Sequence, residues 1–188
     1  ILFRLLPLLY TIFPCQKRGR FPVFSQIHPL PGKKIILRGN HDYWWTTLKA
    51  FDRFCAEHGF SDFHVLNNSC FFYGELALCG TRGWFYEEEK GGEHDKKIML
   101  REVGRLEASL KAAPTEKKLV FLHYPPIFQK YECPEILRLL KEHEVRLCCY
   151  GHIHGKGCNA AFNGWRGGTE YKLVSADWVD FTPVKIIE

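Results

Sequence analysis

At 188 residues, 46% hydrophobic and 25% charged, the chain is long enough for one domain with a sizeable core, and its mixed composition excludes collagen, a repeat array and general disorder. The net charge of +5 sits at the front. Residues 1–41 hold seven basic side chains and no Asp or Glu, which leaves 19 Lys and Arg against 21 acids elsewhere. A near-neutral body without aromatic-basic interleaving argues against a nucleic-acid surface.

Residues 1–14 are apolar but interrupted by Arg4, Pro7 and Pro14. They are too short for a membrane span of ~20 residues and lack a signal-peptide cleavage pattern. Segment 15–32 is rich in Pro, Gly and basic residues, without periodicity. Residues 1–29 therefore read as an unassigned leader and 30–188 as the domain. The eight cysteines include no CxxC pair, and Cys148-Cys149 lie in an apolar run where alternate faces prevent bridging. Reduced, buried thiols and a cytoplasmic location are expected.

From residue 33 the pattern becomes regular. A strand over 33–38 leads into Gly39-Asn40-His41-Asp42, and a helix over about 46–58 carries Leu48, Phe51, Phe54 and Cys55 on one face. Asn67-Asn68 between Phe63-His64-Val65-Leu66 and Cys70-Phe71-Phe72-Tyr73 suggests a hairpin. A strand over 75–79 ends in Gly80-Thr81-Arg82-Gly83-Trp84, and 87–97 reads as a solvated loop carrying Glu87-Glu88-Glu89. A helix over 98–112 stops at Pro114. The strand over 119–122 delivers His123, a helix covers 134–143, and the strand over 145–150 delivers Gly151-His152-Ile153-His154. Two further strands are expected at 171–175 and 184–187. Mixed strands and helices with hairpins indicate an α/β layered sandwich.

Asn40, His41, Asp42, His123, His152 and His154 each follow a strand-like run, so all six converge on the carboxyl rim, where open α/β sheets bind ligands. Imidazoles with an amide oxygen and a carboxylate suit Zn, Mn, Fe or Ni. Such an ion polarises phosphoryl oxygens and acidifies water, and a pair can clamp both oxygens of an in-line displacement. Taken singly, each histidine could be a turn or core residue; together they read as a metal site. Arg82 is expected to be a structural loop residue, and Trp44, Trp45 and Trp84 core packing or loop anchors.

In this order, Gly39-Asn40-His41-Asp42, the lone His123 and Gly151-His152-Ile153-His154 resemble the last three motifs of the calcineurin-like metallophosphoesterases. Leu30-Pro31-Gly32-Lys33-Lys34 and Leu122-His123-Tyr124-Pro125-Pro126 resemble a bacterial branch of phosphohydrolases, and the likeness covers about 30–188. It implies a layered α/β/β/α sandwich, incomplete at the N-terminus. It also implies two divalent metal ions, a phosphate-ester substrate (monoester or diester) and attack by metal-activated water. By the same resemblance Asn40, His123 and His152 hold one metal and His154 the other. His41, oriented by Asp42, protonates or stabilises the leaving oxygen.

The family also opens with Asp-x-His and Gly-Asp motifs, whose aspartate bridges the metals. Neither is possible in a chain with no carboxylate before Asp42, where His28 is the one upstream histidine. The expectation is a phosphohydrolase impaired by the missing bridge, as a truncated or frameshifted product would be. The alternative is a catalytically inactive phosphoesterase-like domain kept for binding or scaffolding.

Overall fold

The computed structural model describes residues 21–42, 45–85 and 92–186. The apolar stretch 1–14, Cys15, Trp44, Glu87-Glu88-Glu89 and Ile187 lie outside the described residues. Helix α1 (Phe21–Ile27) falls in the segment without periodicity. It is followed by β1 (Lys34–Ile36), α2 (Leu48–His58), β2 (Phe63–Val65), β3 (Phe71–Tyr73) and β4 (Leu76–Thr81). The order continues with α3 (Glu93–Lys111), β5 (Lys118–Leu122), the small hairpin β6 (Ile127–Phe128) and β7 (Tyr131–Glu132), and α4 (Pro134–Glu142). Last come β8 (Leu147–Tyr150), a 3₁₀ turn at Gly155–Ala160, β9 (Gly164–Arg166) and β10 (Thr169–Leu173).

Six strands form one sheet in the order β3-β4-β5-β8-β10-β9, with β4, β5, β8 and β10 parallel and β3 and β9 as antiparallel edges. A second sheet contains β1 and β2, paired parallel. The central strands are apolar on both faces because both are covered. Val120 and Leu122 of β5 pack with Met99, Val103, Leu106 and Leu110 of α3 and with Leu139 and Leu140 of α4. Leu119 and Phe121, pointing the other way, meet Ile35 and Leu37 of the second sheet. On that sheet's outer face Ile36 joins an aromatic cluster with Phe24, Phe51, Phe60 and Phe63. The layers are helix, sheet, sheet, helix, which is the α/β/β/α sandwich. Cys148 and Cys149 separate onto opposite faces, and the seven cysteines among the described residues are free thiols.

Local signals explain most boundaries. Thr47 caps α2 by accepting from the Ala50 N–H, and Gly59, at φ 75°, ends it in the left-handed conformation. On α2, Phe51 and Cys55 are buried, whereas Leu48 at its first turn is 38% exposed. Pro134 opens α4 at its first turn, where its missing N–H costs nothing.

Three expectations need correction. Phe63–Val65 and Phe71–Tyr73 do not form a hairpin: β2 joins β1, while β3 turns through Gly74-Glu75 onto β4. Gly74, at φ 56°, supplies the tight turn, and the aromatic cluster draws Phe63 to the other sheet. Residues 184–186 form no strand: Val184 and Lys185 are exposed, so the run has no buried face to hold it on a sheet. Helix α3 begins at Glu93 rather than 98, since Asp95 accepts from the Gly92 N–H and closes its first turn. Strands β6, β7 and β9 are too short to show a period.

Candidate metal centre

The turn after β1, the residue after β5 and the turn after β8 meet at one rim. Strands β5 and β8 are parallel neighbours paired Leu122↔Tyr150, so His123 and Gly151 emerge side by side, with the Gly151 N–H donating to His123 O at 3.3 Å. The His123 and His152 ring centroids lie 5.0 Å apart, and Tyr124 packs 4.3 Å from His152. His152 has φ 70°, a left-handed backbone that costs a non-glycine residue about 1–3 kcal/mol and gathers at functional turns.

From the opposite sheet comes the Asn-His-Asp turn. The Gly39 N–H donates to Asp42 Oδ2 at 2.7 Å, and Arg38 Nε donates to Asp42 O at 3.2 Å, which fixes the turn around a buried carboxylate. A Cβ on Gly39 would stand 3.1 Å from His123 Cε1, so glycine lets this turn reach the histidine. Asn40 Oδ1 stands 2.8 Å from His123 Nε2, and the Asn40 N–H donates to that nitrogen at 3.3 Å. His41 is exposed, its Nε2 3.3 Å from Asn40 Nδ2.

Electrostatics ties the histidines together. Burial, then repulsion from His152, Arg82, His41 and His154, pushes His123 down to about 3. Burial, then His154 and His41, pushes His152 down to about 4. Both imidazoles are therefore neutral at pH 7, the form that ligates metals. On His154, Nδ1–H donates to Asp177 Oδ1 at 2.8 Å while Asp177 Oδ2 accepts from the Gly155 N–H at 2.7 Å. The Gly155 N–H, and then His154, hold the Asp177 carboxyl below its ordinary range. A histidine anchored through Nδ1 presents Nε2. No motif pointed to Asp177, which lies 23 residues beyond its partner in an irregular segment.

Asn40 Oδ1 and His123 Nε2 are spaced like one edge of a coordination shell, because donors about 2.0–2.1 Å from an ion at right angles stand about 3 Å apart. Among the described residues, no three His, Cys, Asp or Glu side chains are grouped to hold an ion. The expected first set consists of an amide and imidazoles, and His154 is paired with the Asp177 carboxylate.

Over residues 16–156 the chain matches the calcineurin-like phosphoesterase family, to which it belongs. This is a family of phosphoester hydrolases that bind divalent metals. Comparison with curated proteins gives no match. One solved structure aligns with a TM-score of 0.50 at 19% identity, covering 80% of this chain and 60% of its own, a likeness of fold alone. TT1561 of Thermus thermophilus aligns with a TM-score of 0.41 at 19% identity, covering 72% of this chain and 61% of its own. The chain thus spans about 60% of the length of these structures. No described helix is long and apolar enough to cross a membrane.

Proposed function

We propose that this domain hydrolyses a phosphate ester with the help of a divalent ion held by Asn40, His123 and His152, and that the chain as it stands does so weakly. The meeting of Asn40 Oδ1 and His123 Nε2 at 2.8 Å across two sheets carries this reading. When bound, the ion supplies Lewis-acid polarisation of a phosphoryl oxygen and a more acidic water. Burial keeps His123 and His152 neutral and ready to donate lone pairs. To His41, exposed beside Asn40, we assign the donation of a proton to the leaving oxygen, a role that contributes ~10²–10⁴-fold. Asp42 holds the turn that aims both.

The ground for proposing weak turnover of these 188 residues is that none of residues 1–41 is a carboxylate able to bridge two ions. The same absence supports the second reading, a phosphoesterase-like domain that binds without catalysis. The seven free thiols among the described residues support a reducing, cytoplasmic setting.

Metal analysis combined with hydrolysis of nitrophenyl phosphate monoesters and diesters tests the reading. The expected result is no more than one ion per chain and slow turnover lost in His123→Asn. Two tightly bound ions with robust turnover overturn the impairment. No turnover at any concentration of Mn, Zn, Fe or Ni overturns hydrolysis and leaves the binding domain.

A further inference from the structure

Beside the histidine rim, at the carboxyl ends of β1, β2 and β4, lies a cavity of about 350 Å³, within the ~300–1,000 Å³ of small-molecule pockets. Arg38, Arg82, Arg101 and Arg105 line it, with Glu102 as the one acidic lining residue among the described residues. Two of these arginines connect it directly to the candidate metal centre. Arg38 immediately precedes the Gly39-Asn40 turn, and Arg82 O accepts from the His123 N–H at 3.1 Å.

Structural pairing accounts for only part of this charge. Glu102 is fully buried and satisfied by Thr81 Oγ1 at 2.6 Å and Arg105 Nη1 at 2.6 Å, with Arg82 Nη2 at 3.5 Å. Among the described lining residues, Glu102 is one carboxylate beside four guanidinium groups. Arg82 Nε is buried without a hydrogen-bond partner, and Arg101 makes no ion pair among the described residues. Arg38 and Arg82 are steadied over the rings of Trp45 and Trp84, each with Cζ 5.0 Å from the ring, a contact that leaves their charge in place. The start of α2, capped by Thr47 and with no acid in its first turn, adds its positive end to the wall. A cleft lined by one sign of charge concentrates its potential, and guanidinium forks match phosphoryl oxygens.

We propose that this cavity is a second anion subsite. It takes a phosphoryl group other than the one positioned at the histidine rim, so the substrate class is a soluble compound bearing two or more phosphoryl groups. The assignment of a substrate, as opposed to a ligand, rests on the hydrolytic reading given above.

Calorimetric titration of the metal-free chain in EDTA with inorganic pyrophosphate and with orthophosphate tests the proposal. The expected result is one pyrophosphate per chain, bound more tightly than orthophosphate and more weakly as salt rises. Arg101→Gln should weaken it by about tenfold or more, and Arg101→Lys by less. Arg101 is exposed, so a melting temperature unchanged from the parent establishes that the variants are folded. Arg138→Gln, at an exposed arginine of α4 outside the cavity lining, should leave pyrophosphate binding in EDTA intact. Equal binding by Arg101→Gln, or an equal loss of binding in Arg138→Gln, overturns the subsite. Sedimentation with phosphatidic acid vesicles, lost in Arg101→Gln, would assign the cavity to a lipid headgroup and overturn the soluble class. Pyrophosphate binding without any metal-dependent turnover supports the subsite while overturning the hydrolytic reading.

Discussion

Asn40 Oδ1 and His123 Nε2 meet at 2.8 Å although 83 residues separate them. Their strands, β1 and β5, belong to different sheets, and Ile35 and Leu37 packing on Leu119 and Phe121 brings the two rims together. The pair therefore reports the packing of the whole inter-sheet core at a single point of the site.

Replacing Asn40 tests that point. Asn40→Ala should lower affinity for a first-row divalent ion by more than about tenfold, since losing even an outer partner of a metal site costs 10–100-fold. The loss of its hydrogen bond should cost about 0.5–1.5 kcal/mol of stability. Calorimetric metal titration alongside thermal melting separates the two effects. Unchanged metal affinity would remove Asn40 from the site.

Asp177 governs His154. In Asp177→Ala the Nδ1–H of His154 loses its acceptor, and the Gly155 N–H loses the carboxylate that anchors the start of the 3₁₀ turn. Nitrogen chemical shifts of the ring should show an Nδ1–H tautomer in the parent and a mixture in the variant. If the ring signals stay the same, Asp177 does not orient His154.

The metal-free protein should lose stability in acid through its buried histidines. His123 and His152 have folded values of about 3 and about 4, below the ordinary 6.5. Between 6.5 and those values the unfolded chain binds more protons, so stability rises with pH there. Their contribution is fully present above 6.5 and is lost as pH falls toward 3–4, with each unit of difference worth about 1.4 kcal/mol. Urea midpoints measured from pH 7.5 to 4.5 should fall in the parent and fall less steeply in His123→Asn. Parallel slopes would contradict the assignment of His123.

Two glycines should respond in opposite directions. A Cβ at Gly80 would lie 2.1 Å from Phe121 O on the paired strand, so Gly80→Ala must spread β4 from β5. A loss of about 1–3 kcal/mol or more is expected. Gly104 sits on α3 with nothing within 4 Å of its would-be Cβ, and Gly104→Ala should gain about 0.5–1 kcal/mol. Thermal melts of both variants check the contrast.

Much of this could be read along the chain. The buried strands β4, β5 and β8 and the helices α2, α3 and α4 appear as apolar runs or stripes of the right period, ending within a few residues of their observed limits. The family was legible because its ligand motifs are short and stand at strand ends. Strand pairing was less accessible: two neighbouring runs around Asn67-Asn68 look like a hairpin locally, yet Phe63 is drawn to Phe24 and Phe60, while Gly74 turns β3 back on β4. The last apolar run stays outside the sheets, with Val184 exposed rather than packed on a core face.

By itself, the sequence determined that the runs forming β4, β5 and β8 are apolar, which strand ends carry Asn40, His41, Asp42, His123, His152 and His154, and that no carboxylate precedes Asp42. Those are properties of local periodicity and residue chemistry. Tertiary structure alone decided that Asp177 pairs with His154, that the Asn40 turn reaches His123, and that four scattered arginines surround one cavity. Each of these depends on the packing of two sheets and their covering helices, which brings together residues that no local spacing relates.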